Sequence, residues 1–140
     1  MFDRILLAVD GSEHALHAAK VAGDLVRAVK ANELRIVVAY EPVPAYLGEP
    51  NLQHAIDSRM AETQDILHEA EAALGEIPTE IHSEFIEGQV ADAIINVADT
   101  RGSDLIIMGS RGLGRLAGAL LGSNSQKVVR DAPCPVLIVR

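Results

Sequence analysis

Short aliphatic runs alternate along this chain with longer stretches in which apolar residues recur every three or four positions. The first run, RILLAV at 4–9, is followed at once by DGS. A run of that length, with no polar alternation, predicts a strand buried on both faces. From Ser12 onward, Ala15, Ala18, Ala19, Ala22, Leu25, Val26 and Val29 keep a helical period, and Ser12 is placed to cap that helix. LRIVVAY at 34–40 predicts a second strand. The segment 41–50 and Asn51 then carry Pro42, Pro44 and Pro50, which remove backbone donors and predict a loop. Leu52, Ile56, Met60, Thr63, Leu67, Ala70 and Leu74 mark a long amphipathic helix stopped at Gly75. The alternating TEIHSEFI at 79–86 predicts a third strand, and a shorter helix spans 89–101. SDLIIMG at 103–109 is a fourth strand, Ser123 to Asp131 a fourth helix, and CPVLIVR at 134–140 a fifth strand.

The order βαβαβαβαβ predicts parallel strands joined by right-handed crossovers, hence a doubly wound, Rossmann-like α/β sheet with helices on both faces. No internal repeat interrupts it, and the proline-rich segment is too short to link domains. One domain over residues 1–140 is expected. Composition agrees: hydrophobic residues are 49% of the chain but aromatic ones only 3%, so the core must be aliphatic. A lone cysteine, Cys134, favours a reducing compartment and a small apolar role for its side chain. No apolar run nears the roughly 20 residues of a membrane helix. The formal charge of -8 argues against broad affinity for nucleic acid. A protein of the cytoplasm is the expectation. His14 and His17 share a helix face and read as solvated, and no Cys/His cluster has the spacing of a metal site.

The charge is unevenly spread. Between Leu105 and Arg130 stand Arg111, Arg115, Lys127 and Arg130 with no Asp or Glu, so this stretch carries +4 and the remainder -12. Its glycines fall at Gly109, Gly112, Gly114, Gly118 and Gly122, after a strand and before a helix. In open α/β sheets, ligands sit beyond the carboxyl ends of the strands. Bare backbone and the unpaired amides of a helix start, with Ser123, Asn124 and Ser125, would cradle phosphate. A flexible connection with a well-capped helix is the plainer alternative. Ser123 rather than a lysine directly follows Gly122, which disfavours a Walker-type loop, and GLGRLA at 112–117 stands too late in the chain for a dinucleotide fingerprint.

The opening RILLAVDGS, SDLIIMGSRG at 103–112 and the closing APCPVLIVR resemble the universal stress protein family over essentially all 140 residues. Gly109-x2-Gly112-x9-Gly122-Ser123 matches the G-x2-G-x9-G-S/T pattern of that family's ATP-binding branch. The resemblance implies strand order 3-2-1-4-5, a homodimer, and a site for ATP, ADP or AMP, with Mg²⁺ as an accompaniment. It implies that Ala8, Val9 and Asp10 edge the adenine and ribose, and that Met108, Gly109 and Gly112 floor the site. Gly122, Ser123, Asn124 and Ser125 would hold the phosphates. Tyr40 stands where members often carry a smaller aliphatic residue, so its ring either stacks on the base or crowds it. Asp10 serves a ribose hydroxyl, a water-bound Mg²⁺, or only the DGS turn. Arg111 is favoured as a further phosphate contact. No catalytic base or metal cluster is legible, so slow hydrolysis or none is expected, with a weak ATPase or phosphoryl-transferring enzyme as the alternative and a non-binding interaction domain as the third reading. The dimer is expected to pair through 135–140, and the 41–51 loop to close over the nucleotide and report its presence to a regulatory protein partner.

Overall fold

A computed structural model describes residues 1–111 and 121–140 of the protein. What the sequence led us to expect of Gly112, Gly114, Arg115 and Gly118 lies outside the described residues. Five strands form one parallel sheet: β1 (Arg4–Val9), β2 (Glu33–Tyr40), β3 (Glu80–Glu87), β4 (Leu105–Gly109) and β5 (Val136–Val139). Their order is β3-β2-β1-β4-β5. The chain therefore runs outward from β1 to one edge, then returns to lay β4 against β1 on the other side. That reversal leaves a cleft above the carboxyl ends of β1 and β4.

Four helices cover the sheet: α1 (Glu13–Val29), α2 (Asn51–Leu74), α3 (Val90–Arg101) and α4 (Ser123–Asp131). Alternation along the strands splits the core in two. Ile5, Leu7, Leu34, Ile36 and Ile107 face α1 and α2, whereas Leu6, Val37, Ile106 and Met108 face α3 and α4. Strands buried on both faces need the unbroken aliphatic runs that β1 and β4 show. α1 begins where the Ser12 hydroxyl accepts the Ala15 amide at 3.2 Å, and it ends at Lys30 in the left-handed conformation. Among the described residues no helix is long and apolar enough to cross a membrane.

Two close approaches explain glycines. A Cβ on Gly23 would lie 2.3 Å from the Leu74 carbonyl oxygen, so only glycine lets the end of α2 cross α1 there. A Cβ on Gly109 would lie 2.8 Å from the Cβ of His14, so the last residue of β4 must be bare for α1 to rest on it. Arg27 secures the same α2 end, donating to the Leu74 and Glu76 carbonyls at 2.9 and 3.1 Å.

The outer strand β3 departs from its expected polarity. Ile81 and Phe85 remain 41% and 38% exposed, while Glu84 turns inward toward Arg35 and Arg101. Arg101 of α3 approaches one Glu84 oxygen at 2.7 Å. Arg35 stands 3.3 Å from the other, close enough for attraction though not aligned as a hydrogen bond. Burial works to raise the Glu84 pKa, but the Arg101 and Arg35 guanidiniums together outweigh it and hold the carboxyl below its ordinary value.

Candidate functional site

The cleft above β1 and β4 is built from three short connections. After β1, Asp10 accepts the Ser12 amide at 2.9 Å through Oδ1, and Gly11 takes φ +85° to complete the turn. After β4, the Ser110 carbonyl accepts the Gly122 amide at 2.7 Å and the Ser125 hydroxyl at 3.1 Å. The same hydroxyl lies 2.9 Å from the Gly109 carbonyl. The connection thus leaves and re-enters the fold at one point, and α4 is hung from the end of β4. After β2, the chain passes Tyr40, whose carbonyl accepts the Gly88 amide at 2.9 Å, into a loop with a short turn at Ala45–Leu47.

Gly122 stands at the cap of α4 in extended conformation, with no side chain bonded back to the first turn. Among the described residues no acceptor meets the backbone amides of Ser123, Asn124 and Ser125. These are the uncompensated donors of a helix start, at the positive end of its dipole.

The cleft has two parts. A narrow crevice of about 40 Å³ lies between Ala8, Val37, Ile94 and Met108, with Asp10, Gly109 and Arg111 at its edge. Beside it lies a broader hollow of about 500 Å³, walled by Tyr40, Glu41, Arg59, Glu62, Gly122 and Ser123. Asp10, Ala39, Val90, Asn124 and Ser125 border both. The hollow is of ligand size and the crevice is not. Together they offer an apolar recess, a polar mouth and a row of donors.

The structure gathers Ala8, Val9, Asp10, Tyr40, Met108, Gly109, Arg111, Gly122, Ser123, Asn124 and Ser125 around this cleft. Gly112 lies outside the described residues. Three of the gathered residues carry structural work as well. Asp10 holds its turn, Ser125 ties α4 to β4 while 2% exposed, and Gly109 admits α1. Arg59 and Glu62 were not legible as site residues, because they come from the middle of α2, where the sequence shows an ordinary solvated helix face.

The histidines need one correction. His14 is not simply solvated: its Nδ1 lies 2.7 Å from the buried Ser110 hydroxyl, and its ring stacks on His17 at 6.5 Å. His17 in turn places Nδ1 3.0 Å from the Arg140 carbonyl oxygen. Among the described residues no group of three or more His, Cys, Asp or Glu side chains is placed to hold a metal ion. Cys134 is half-buried beside the α3–α4 core, and burial, with Asp104 adding to it, raises its thiol pKa.

The sequence profile described as the Universal stress protein family matches residues 1–140. The chain belongs to the universal stress protein family. A universal stress protein of Thermus aquaticus, encoded in the 3′ region of a QAH/OAS sulfhydrylase, is 49% identical over 140 residues and all of both chains. Among solved structures, the universal stress protein UspA of Lactobacillus plantarum superposes with a TM-score of 0.86 at 24% identity, covering 99% of this chain and 98% of its own, which speaks for the fold. Another universal stress protein, crystallised in complex with cAMP, is 30% identical with a TM-score of 0.71, over 99% of this chain and 97% of that one. Membership of the family assigns this chain a stress-response role.

Proposed function

We propose that this universal stress protein exerts its role by holding an adenine nucleotide (ATP, ADP or AMP) in the cleft above β1 and β4. The observation that carries the reading is the start of α4: three backbone amides that meet no acceptor among the described residues border a hollow of about 500 Å³. Such a row of donors at a helix dipole binds phosphate without needing a side chain. The neighbouring crevice, between Ala8, Val37, Ile94 and Met108, offers an apolar surface at its mouth for one edge of the base. The complex of a 30% identical relative with cAMP adds support, since that ligand too joins an adenine to a phosphate.

In this reading the base enters at the crevice mouth, beside Val9 and Tyr40. Asp10, whose Oδ1 already holds the Ser12 amide, turns its other oxygen to a ribose hydroxyl or to a water on Mg²⁺. Ser123 and Asn124 take the phosphates through backbone and side chain. Ser125 contributes its amide, its hydroxyl proton being shared between the Gly109 and Ser110 carbonyls. Arg111, at the crevice edge, is a further phosphate contact in this reading. Occupancy rather than rapid turnover is then the signal, and the loop after β2 is the element that passes it to a partner protein. We also infer that two copies pair through β5, an edge strand whose Leu137 is 37% exposed.

Heat-denaturing the purified protein and chromatographing the supernatant tests the reading. An adenine nucleotide at a substantial fraction of one per chain is expected, together with calorimetric heat when nucleotide is added back to stripped protein. Clean supernatant and no heat with ATP, ADP, AMP or cAMP, with and without Mg²⁺, would refute it.

A further inference from the structure

The hollow's walls are of opposite character. One wall presents the α4 amides. The other, across from it, presents the carboxylate residues Glu41 and Glu62, with Asp10 at the base. A polyphosphate lying on the amides would meet three acids and suffer from each added negative charge. Among the described residues Arg59 is the one cationic residue that lines the hollow. Its Nη1 donates to the Glu41 carbonyl at 2.7 Å, and its Nε stands 3.9 Å from a Glu62 oxygen. The first contact anchors one nitrogen of the guanidinium, and the second is too long to use a donor fully. With five N–H groups, a guanidinium so held keeps donors for a second, bidentate acceptor.

We propose that Arg59 contacts the terminal phosphates of the bound nucleotide and thereby sets the protein's preference for a polyphosphate over a monophosphate or nucleoside. This deepens the nucleotide-binding reading and rests on it. Without Arg59 the acidic wall favours ligands with few phosphates. With it, the β- and γ-phosphates gain a charge-assisted pair opposite the α4 amides. The Glu41 carbonyl acts as the positioning group, and it links the arginine to the first residue of the loop after β2.

The test is calorimetry of ATP, AMP and adenosine, each with and without Mg²⁺, on the wild type, R59Q and R59K. R59Q is expected to weaken ATP by about ten-fold or more, the worth of a lost charged hydrogen-bonding pair, while adenosine changes by less than about two-fold. AMP falls between them. R59K retains the charge but not the planar fork and gives the same ordering with smaller losses, so it carries the test should R59Q melt early. An equal loss for all three ligands, or no loss for ATP, overturns the assignment of Arg59 while leaving the nucleotide site standing. Failure of the wild type to bind any of the three overturns both.

Discussion

At the scale of single residues, this chain shows how one side chain can satisfy two demands. Gly109 belongs to a spacing associated with phosphate binding, yet its missing Cβ is required first by His14, whose Cβ would be met at 2.8 Å. Gly109→Ala is therefore expected to destabilise the ligand-free protein by about 2 kcal/mol, in the range of overpacked cores. Gly23→Ala should cost at least as much, because its obstacle is a backbone oxygen at 2.3 Å. Urea denaturation of both variants checks this, and wild-type midpoints would contradict the packing account. The glycine spacing was legible in the sequence, but the packing reason for Gly109 was not, because it lies in His14, 95 positions away on another element. Arg59 was illegible for the same reason. A lone arginine on a solvated helix face acquires meaning only when the fold carries it across from α4.

Elements were read more securely than their surroundings. The aliphatic runs of β1 and β4, and the alanine stripe of α1, left little choice of structure, and the boundaries agree within two residues. The two ends of the α2 stripe fared differently. Thr63, Leu67, Ala70 and Leu74 are buried, whereas Leu52, Ile56 and Met60 are half-buried or exposed, because the first turns of α2 extend beyond the sheet. β3 shows the same limit, since alternation identified the strand without revealing that Glu84 would be the inward residue. Its depressed pKa makes a pH prediction. A carboxyl held below its ordinary value contributes stability that is present above about pH 4.3 and disappears as pH falls through the folded value. Urea midpoints between pH 3 and 7 should therefore drop less steeply on acidification in Glu84→Gln than in the wild type, from a lower value at pH 7. Parallel pH profiles would show that the Arg35–Glu84–Arg101 group does not titrate with folding.

For the whole molecule, the strand order places both edge strands, β3 and β5, away from the cleft above β1 and β4. The β5 edge is apolar, and pairing there would leave the cleft of each copy open to solvent and to a partner. Leu137→Lys, which puts a charge on that edge, should convert a dimer to a monomer in sedimentation while leaving nucleotide affinity within about two-fold. A wild type that sediments as a monomer at micromolar concentration would remove the proposed dimer. The central claim, however, is that the start of α4 grips phosphate with its own backbone. The most direct measurement follows the amide resonances of ¹⁵N-labelled, nucleotide-stripped protein as Mg·ATP is added. The account predicts large, saturable shifts at Ser123, Asn124 and Ser125 together with Asp10, and smaller ones with adenosine. Saturation by ATP with those four amides unmoved would contradict it.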